Sequence, residues 1–598
     1  MKKRKKMAAL FGAALLLCAY MGLRLWWDQR QPVEVSDIVF VIDGGGAGRE
    51  LKLWHNYYNN KEYLFLPAFC SPQAGAQIMA GGRREAVWDG NKLGSGEKTG
   101  ALTDGEHLLQ AGNEEFTVVV MHSSKVPALF ITTSSGSLTY IEESKGNGEP
   151  GLYEMVAADG TVIGAGQIKK LKSRGNATFL EDKKPYQMTL EERADLLGRG
   201  EQENYILLAN RQDQSLLRDR IMYDMAMEMG LAYSPASTWV DLYVNQEYRG
   251  SYQISEKVET GPGRIDIDVE TASTQTGFLV TLEYPYEDRL AEAAHYFTTQ
   301  NDQNVVIKRP SNPTEAQITY ISETFQQMED AIRTGRLEDF PIDLTSFARK
   351  YLIEEIGKNL DAMYSSQYFY RDAADTDGKE EMLYAGPVWD YDKTLGNPLI
   401  EHTRPVDFQE PRGIFAASLR EDASWWYDLY QVPAFRETVV AEYKNTALPV
   451  IDEMLNGQID SYRDEIWDSA CMDYMRWDTF EDFKNEEELE FAAEYQAEID
   501  NIKTFLTLRK EFLNDIWLEG RIYDQIIFDP GEGTMYVTRV DAVEGRTLIP
   551  PRKPRLEGYV FDHWVREDTG EIYDFTQVYD GVPFTLKAVY QKEEQEKE

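Results

Sequence analysis

The chain has 598 residues, enough for three or four domains. Its 102 Asp and Glu residues outnumber its 62 Lys and Arg residues, which gives a formal net charge of -40. That acidity excludes general binding to nucleic acid, because contact with a phosphate backbone requires a basic face. With three cysteines and six widely separated histidines, the sequence predicts neither a disulfide scaffold nor a zinc site.

The N-terminus has the pattern of a membrane anchor. Residues 2–6 are all Lys or Arg, and an uninterrupted run of apolar and small residues follows from Met7 to Leu23. As a helix this run nearly spans the hydrocarbon core, and a basic flank stays in the cytoplasm. The sequence therefore predicts an anchor over residues 1–28 and a single-pass cell-membrane protein with most of the chain outside the cell. Cleavage of the same segment as a signal peptide is the alternative.

Strand and helix patterns alternate along the rest of the chain. Short β-prone runs separated by Gly, Asn and Ser predict a β-rich, sandwich-like module over residues 35–123. Apolar residues at helical spacing, followed by a glycine, predict a helix at 214–229. Two alternating runs, 239–245 and 248–254, predict a β-hairpin. The remaining predicted elements are amphipathic helices at 314–335 and 343–360, an acidic helical region at 420–520, and short strands at 524–592.

A group of cations surrounds a Gly-Asn turn. Lys172 and Arg174 precede the turn, and Lys183 and Lys184 follow it. Backbone amides, a forked guanidinium and point-charge lysines together can hold a polyphosphate. A solvated loop with ordinary lysines is the alternative, and these residues alone favour it.

Two further clusters carry carboxylates. Asn359 and Asp361 lie at the end of a predicted helix, and Asp390 and Asp392 follow a short predicted strand. Carboxylates two residues apart can share a hard cation, as magnesium–nucleotide sites require. A carboxylate beside an amide can orient a hydroxyl nucleophile and accept its proton. A calcium-stiffened turn or a helix cap explains the same residues equally well.

Several short motifs follow one another between residues 127 and 450. They are Lys172-Ser173-Arg174-Gly175-Asn176-Ala177-Thr178, Lys183-Lys184-Pro185-Tyr186, Leu207-Leu208-Ala209-Asn210, Ser215-Leu216-Leu217-Arg218-Asp219, Val240-Asp241-Leu242-Tyr243-Val244-Asn245, Ser255-Glu256-Lys257-Val258-Glu259 and Gly386-Pro387-Val388-Trp389-Asp390-Tyr391-Asp392. In this order they resemble the motifs of the CotH kinase family, which is similar to spore coat protein H. The resemblance implies an α+β fold with an atypical protein-kinase-like domain, which binds ATP and Mg²⁺ and phosphorylates Ser or Thr of a protein. The Gly-rich loop, the His-Arg-Asp motif and the Asp-Phe-Gly motif of ordinary kinases do not occur here in their usual order. The implied activity therefore rests on this family's own motifs.

The resemblance also implies roles for single residues. Asp361 would be the catalytic aspartate, with Asn359 as its neighbour. Asp390 would hold magnesium, and Asp392 is a second metal candidate. Arg174 and Lys184 would contact the phosphates of ATP. Glu256 is a third candidate for nucleotide binding, and the resemblance gives it no defined role.

The C-terminal segment has a different pattern. Phe528-Asp529-Pro530-Gly531, Gly558-Tyr559-Val560-Phe561 and Trp564 are spaced as in the Listeria–Bacteroides repeat of bacterial surface proteins, which they resemble. The resemblance implies a small β module that contacts the cell wall. His563 stands where the repeat usually has Gly before the tryptophan. A β module with an aromatic core and no ligand is the alternative.

These patterns predict a kinase-like domain flanked by small β-rich modules behind an N-terminal transmembrane helix. The predicted function is Mg-ATP-dependent phosphorylation of Ser or Thr on a cell-envelope or coat protein. A non-catalytic surface protein that uses a kinase-like scaffold is the alternative, and a paired-carboxylate glycosidase is a third, less favoured hypothesis. The predicted segments are the anchor at 1–28, the β-rich module at 35–123, the kinase-like domain at 127–450, an acidic helical extension at 451–520, and the β repeat at 524–592.

Overall fold

The structure is a computed structural model, and it places the chain in two compact units. It describes residues 33–592 except 45–46, 81–85, 95, 270, 285, 287–289, 292, 363, 375–380, 399–408, 418–424, 478–487, 533–537, 549, 551–552, 555 and 557. The first unit comprises the described residues up to Ala209 together with Thr238–Ile254 and Glu465–Phe491. The second unit comprises Asn210–Ser237, Ser255–Asp464 and the described residues from Ala492 onward.

Two antiparallel-rich sheets form the N-terminal part of the first unit. One has the strand order β2-β1-β5, and the other has the order β3-β4-β9-β8-β6-β7. Strand β1 alternates buried and half-buried residues, so Ile38, Phe40 and Ile42 face a shared core that also contains Trp88. The strands are β1 (Ile38–Gly44), β2 (Ala47–Lys52), β3 (Trp54–Asn56), β4 (Lys61–Leu66), β5 (Gln77–Ala80), β6 (Ala86–Trp88), β7 (Asn91–Leu93), β8 (Gly105–Ala111) and β9 (Glu114–His122).

A closed barrel of seven strands follows, in the order β10-β11-β12-β13-β14-β16-β15. Strands β10 and β15 pair in parallel, which joins the first strand of the barrel to residues more than 100 positions later. Alternate residues of β13, namely Tyr186, Met188 and Leu190, point into the barrel core. Closure leaves no unpaired edge. The strands are β10 (Ala128–Thr133), β11 (Glu149–Val156), β12 (Val162–Ser173), β13 (Tyr186–Ala194), β14 (Gln202–Leu208), β15 (Ser237–Val244) and β16 (Glu247–Glu256).

A five-stranded antiparallel sheet lies in the second unit, in the order β18-β19-β17-β20-β21. Its central strand β17 is buried along its whole length. The C-terminal segment adds a four-stranded sheet, in the order β23-β22-β25-β24, with its own core around Phe528 and Trp564. The strands are β17 (Phe278–Leu282), β18 (Tyr296–Thr298), β19 (Asn304–Arg309), β20 (Tyr368–Arg371), β21 (Tyr384–Ala385), β22 (Asp524–Asp529), β23 (Thr538–Ala542), β24 (Tyr559–Arg566) and β25 (Thr585–Lys592).

Helices occur in both units. They are α1 (Thr139–Glu143), α2 (Arg218–Glu228), α3 (Glu315–Thr334), α4 (Leu344–Gly357), α5 (Trp425–Gln431), α6 (Pro433–Glu442), α7 (Leu448–Glu453), α8 (Ile459–Trp477) and α9 (Glu488–Trp517). Helix α4 carries the site described below, and its ends follow from the sequence. The Asp343 side chain accepts a hydrogen bond from the Ser346 N–H at the N-terminus. Lys358 then adopts a left-handed conformation, with φ of 47°, and ends the helix.

The structure corrects the predicted fold class and location. The described residues place more of the chain in strands than in helices, and their closed barrel had not been predicted. The fold class of an α+β kinase-like domain behind a transmembrane helix is therefore wrong. Within the described ranges, no helix combines the length and the apolar character needed to cross a membrane. This finding contradicts the predicted single-pass location, and the predicted anchor at 1–28 lies outside the described residues.

Candidate functional site

The segment between β21 and Asn397 carries two of the predicted site residues in irregular backbone. Asp390 is exposed and has a left-handed φ of 71°, which is uncommon for a residue other than glycine. Its N–H donates a hydrogen bond to the Tyr223 hydroxyl at 3.2 Å, and its Oδ2 accepts one from Ser366 Oγ at 3.2 Å. The backbone is thus held in a strained conformation that presents the Asp390 carboxylate to solvent.

Asp392 lies two residues farther on and is half-buried. Burial raises the pKa of its carboxyl well above the usual range, and the charges of Asp390, Asp219 and Asp361 raise it further. The neighbouring Lys393 acts in the opposite direction. The turn that follows is fixed by the buried Asn397, whose Nδ2 donates to the Asp392 carbonyl at 2.8 Å.

Asp219 joins these carboxylates, although no role for it had been predicted. It stands in the first turn of α2 and is almost fully buried. The Tyr391 N–H donates to its Oδ1 at 2.7 Å, which brings the helix start to the segment that carries Asp390. Burial raises the pKa of the Asp219 carboxyl to about 7, and the Asp390 charge contributes to the rise.

Side chains of helix α4 contact the same segment. Its Lys350 and Glu354 are fully buried, and both contact the Tyr391 hydroxyl. Lys350 Nζ donates to that oxygen at 2.8 Å, and the hydroxyl in turn donates to Glu354 Oε1. These bonds fix Tyr391, and Tyr391 holds Asp219. A buried network of this kind sets the position of the carboxylates rather than taking part in chemistry itself.

Asn359 and Asp361 follow the left-handed end of α4. Asn359 Oδ1 accepts a hydrogen bond from the Asp361 N–H at 3.0 Å. Its Nδ2 is buried and has no hydrogen-bond partner within the described part of the chain. A buried donor without a partner is costly, and the whole Asn359 residue has no exposed surface.

The Asp361 carboxylate is oriented from two sides. The Tyr284 hydroxyl donates to its Oδ1, and Lys393 Nζ lies 3.5 Å from its Oδ2. Burial lowers the pKa of the Lys393 ammonium, but Asp361, Asp392 and Asp390 raise it by more, so the net pKa lies above the usual value. Lys393 is therefore charged and holds Asp361 within the group of carboxylates.

Asp219, Asp361, Asp390 and Asp392 form what we call the carboxylate cluster. All four lie in the second unit and interact electrostatically. Among the described residues, no group of three or more His, Cys, Asp or Glu side chains is close enough to hold a metal by itself. Mg²⁺ is usually bound by one or two carboxylates together with phosphates and waters. Asp390 and Asp392 are therefore the carboxylates that would be available for such a metal, together with ligands from outside the protein.

The predicted nucleotide residues lie elsewhere in the chain. Arg174 and Lys184 belong to the first unit. The Arg174 N–H donates to the Pro185 carbonyl at 3.0 Å, which closes the loop after β12. Lys184 Nζ donates to the carbonyls of Phe179 and Glu181 at 2.7 and 3.0 Å, so its ammonium stabilises this loop.

Glu256 belongs to the second unit and is buried at the end of β16. Its Oε2 accepts from the Ala236 N–H at 2.8 Å, and its own N–H donates to the Ala236 carbonyl at 3.0 Å. These two hydrogen bonds join the end of β16 to the residue just before β15, so Glu256 stabilises the fold at this point. The structure thus brings Asn359, Asp361, Asp390 and Asp392 together and gives Glu256 a separate position.

Sequence reasoning missed Asp219. The signal was present, because Asp219 closes the motif Ser215-Leu216-Leu217-Arg218-Asp219 at the start of a predicted helix. An aspartate in a first helical turn commonly stabilises the helix dipole. Because that role accounts for Asp219 by itself, the sequence alone offered no reason to place it in a site.

The chain matches a known protein family. The family described as CotH kinase protein matches residues 171–513, which is more than half of the chain. The match contains the whole carboxylate cluster and extends beyond residue 450, where the resemblance had been placed to end. It does not include residues 524–592, and no curated protein matches the chain. The chain therefore belongs to the CotH kinase protein family.

Proposed function

We propose that the protein transfers the γ-phosphoryl group of ATP to a Ser or Thr hydroxyl of a protein substrate. The observation that carries this proposal is the carboxylate cluster, in which Asp390 and Asp392 share one region with Asp361 and its cation Lys393. Phosphoryl transfer needs positioning and charge neutralisation more than covalent chemistry from the protein. Membership in a kinase family is consistent with this use of the cluster.

In this proposal the magnesium ligands are Asp390 and Asp392. Asp390 is exposed and so can reach a metal that enters with a nucleotide. Burial and the neighbouring negative charges raise the pKa of Asp392, and Lys393 offsets them only in part, so its ionised form is not fully compensated. When bound, Mg²⁺ would supply that compensation and neutralise charge on the phosphates.

Asp361 is the proposed general base. A carboxylate has about four acceptor positions, and the Tyr284 hydroxyl and Lys393 ammonium use only part of them. Asp361 accepts the proton of the substrate hydroxyl as that oxygen forms its bond to the γ-phosphorus. The bond from the γ-phosphorus to the bridging oxygen breaks, and ADP leaves with the electron pair. The products are a phosphoserine or phosphothreonine, ADP and a protonated Asp361.

Asn359 is the proposed positioning donor. Its Oδ1 is occupied by the Asp361 N–H, whereas its buried Nδ2 has no partner among the described residues. Asn359 has no exposed surface, so a phosphoryl oxygen would reach this amide only if the surrounding chain rearranged when the nucleotide binds. Without that rearrangement, the proposed role of Asn359 is to hold the Asp361 backbone through Oδ1.

Contacts from Arg174 and Lys184 to the nucleotide phosphates stay predictions. Lys184 would have to exchange two carbonyl contacts for a phosphate. An envelope or coat protein as substrate, and cell-wall contact by a repeat at 524–592, also stay predictions.

A non-catalytic scaffold is the second candidate function. The observation that favours it is the engagement of Lys184 within its own loop, because a kinase needs cations at the phosphates. A scaffold predicts either no nucleotide binding or binding without transfer.

The test is nucleotide binding followed by phosphoryl transfer with the full chain. A fluorescent ATP analogue is titrated with and without Mg²⁺, and radiolabelled ATP is then supplied with casein and myelin basic protein as acidic and basic acceptors. We expect Mg²⁺-dependent saturation and labelled Ser or Thr. Asp330→Asn is the control for the site variants Asp361→Asn and Asp390→Ala, because Asp330 lies on the exposed face of α3 and pairs with Arg333 there. Binding without any labelled acceptor or self-labelling favours the scaffold.

A further inference from the structure

Ser366 contacts one of the proposed magnesium ligands, although the transfer mechanism above gives it no role. Its Oγ donates a hydrogen bond to Asp390 Oδ2 at 3.2 Å, and this bond is exposed to solvent. Both residues belong to the second unit, and Ser366 itself is half-buried. A metal ion that reaches the Asp390 carboxylate therefore arrives next to the Ser366 hydroxyl.

The backbone on both sides fixes the position of Ser366. Before it, the Ser365 N–H donates a hydrogen bond to the Asp361 carbonyl at 3.2 Å. After it, Gln367 is fully buried, and its carbonyl accepts a hydrogen bond at 2.9 Å from the N–H of Leu282, the last residue of β17. Ser366 is thus held between the proposed base and the central strand of the five-stranded sheet.

Ser366 and Asp390 both adopt an uncommon backbone conformation. Their φ angles are 57° and 71°, in the left-handed region that residues other than glycine rarely adopt. Such strained residues persist where the surrounding structure enforces them, and they are concentrated at functional sites. Two strained residues from separate loops meet here through their side chains.

The distance between the two side-chain oxygens is close to that of two neighbouring metal ligands. Mg²⁺ holds its ligands in octahedral geometry at about 2.0–2.1 Å, so neighbouring ligand oxygens are about 2.9 Å apart. A hydroxyl usually approaches a carboxylate more closely, to about 2.5–2.7 Å. At 3.2 Å, the contact between Ser366 Oγ and Asp390 Oδ2 is a weak hydrogen bond. A metal ion would replace it at little cost and with only a small movement of either side chain.

The charges of the carboxylate cluster favour a neutral third ligand. Among the described residues, no three His, Cys, Asp or Glu side chains lie close enough to bind one metal, so a further protein ligand would be of another type. Burial and neighbouring charges already raise the pKa of the Asp219 and Asp392 carboxyls. Another carboxylate would add to this repulsion, whereas the Ser366 hydroxyl is an oxygen ligand without charge.

We propose that the Ser366 hydroxyl is a ligand of the metal at this site, beside Asp390. The inference rests on the proposed function, because the metal is the one that would bind with ATP. Mg²⁺ prefers oxygen ligands, and a serine or threonine hydroxyl is among those that hold it in P-loop nucleotide sites. The alternative is that Ser366 only orients the Asp390 carboxylate through their hydrogen bond.

The first test measures how nucleotide binding depends on the metal. The fluorescent ATP analogue is kept at a fixed concentration with the full chain, and Mg²⁺ is titrated until binding saturates. Ser366→Ala should raise the half-saturating Mg²⁺ concentration by about tenfold. Ser365→Ala is the matched control, because Ser365 Oγ is 3.4 Å from Glu283 Oε1, and it should titrate as the wild type does. A wild-type titration in the folded Ser366→Ala variant overturns the proposal.

A cysteine at this position separates a metal ligand from an orienting group. Ser366→Cys has nearly the same shape but supplies a thiolate, which binds soft cations better than Mg²⁺. Binding of the analogue to this variant should be weak with Mg²⁺ and should recover with Cd²⁺. Ser365→Cys carries the same added thiol one residue away, so it should bind the analogue with Mg²⁺ as the wild type does and gain nothing from Cd²⁺. Thermal melting checks the fold of each variant.

The outcomes distinguish this inference from the proposed function. If the wild type does not bind the analogue, or binds it without any dependence on metal, the proposed function fails and the inference fails with it. If the wild type requires Mg²⁺ but folded Ser366→Cys gains nothing from Cd²⁺, the proposed function stands and Ser366 is not a metal ligand. Recovery with Cd²⁺ in Ser366→Cys, and not in Ser365→Cys or the wild type, supports direct binding of the metal.

Discussion

The backbone N–H of Tyr391 donates a hydrogen bond to Asp219 Oδ1 at 2.7 Å. This single contact connects the first turn of α2 to the segment that carries Asp390 and Asp392. It explains why Asp219 and the distant pair Asp390 and Asp392 influence one another's charge. The carboxylate cluster is a product of the tertiary fold, because no local motif contains all four of its aspartates.

The hydroxyl of Tyr284 should be a positioning group for Asp361. Tyr284→Phe removes the donor to Asp361 Oδ1 and leaves the ring stacked between Tyr286 and Tyr364. We expect kcat to fall about tenfold while the KM for ATP stays the same, since one hydrogen bond to a charged group is lost. Steady-state phosphotransfer rates measure both constants.

Tyr286→Phe is the control for this prediction, because Tyr286 is exposed and stacks on the outer face of Tyr284. It should retain the wild-type kcat. A double variant with Asp361→Asn should be no slower than Asp361→Asn alone, since Tyr284 acts through Asp361. Additive losses in that double variant would argue against a positioning role.

The buried ion pair between Lys183 and Asp473 should dominate the stability of its region. The two charges are 2.7 Å apart, and both side chains are at most 2% exposed. Lys183→Met leaves Asp473 buried without its cation, so the free energy of unfolding should fall by about 3–5 kcal/mol. Urea denaturation monitored by tryptophan fluorescence measures the change.

Lys169→Met provides the comparison for Lys183. Lys169 is exposed and 3.9 Å from Glu203, so its removal should change the free energy of unfolding by less than about 1 kcal/mol. Adding Asp473→Leu to Lys183→Met should restore part of the loss, since no unpaired charge then remains buried. Equal stability of Lys183→Met and Lys169→Met would contradict the prediction.

Asp241 should make stability depend on pH. It is fully buried in β15, and burial raises the pKa of its carboxyl to about 7 despite hydrogen bonds from Ser469 and Tyr248. Between pH 4 and 7 the folded protein then holds a proton that the unfolded chain has released. Its contribution to stability is present below that window and is lost as the pH rises through it. The total effect is at most about 4 kcal/mol.

Asp241→Asn tests this pH dependence, because the amide does not titrate. The free energy of unfolding, measured by urea denaturation from pH 4 to 8, should fall less steeply in the variant than in the wild type. Asp159→Asn is the control, since Asp159 is exposed in a turn. A wild-type slope in Asp241→Asn would show that Asp241 does not carry the effect.

Local patterns in the sequence predicted local elements well. The predicted helix at 214–229 is observed as α2, and the predicted hairpin is observed as β15 and β16. The helices predicted at 314–335 and 343–360 are α3 and α4, within three residues at each end. Each of these elements is specified by apolar periodicity and by caps that act over a few residues.

The barrel and the full site depend on contacts over long sequence distances. Alternation predicts a strand but not its partner, so the parallel pairing of β10 with β15 left no mark in the sequence. The spacing of Asp390 and Asp392 suggested a cation site, whereas Asp219 enters it only through the fold. The resemblance assigned Lys184 to a nucleotide phosphate, which stays a prediction, whereas the structure shows that two carbonyls of its own loop accept its hydrogen bonds.

In the proposed mechanism Asp390 binds the metal and Asp361 acts as the base, so removing the Asp390 carboxylate should affect nucleotide binding. Asp390→Ala removes an exposed ligand that contributes little to packing, so the variant should fold and lose Mg²⁺-dependent ATP binding. Thermal melting checks the fold, and the fluorescent ATP analogue measures the affinity. A variant that binds Mg-ATP as the wild type does would assign the metal to other residues.

The most direct test of the account is the initial rate of phosphoryl transfer by Asp361→Asn at saturating Mg-ATP. The side chain keeps its shape and can still accept from Tyr284, but it no longer takes up the proton of the substrate hydroxyl. We predict a fall in rate of about 100- to 10,000-fold, with the affinity for Mg-ATP within about twofold of the wild type. Transfer at the wild-type rate by the folded variant would contradict the proposed role of Asp361 and the mechanism built on it.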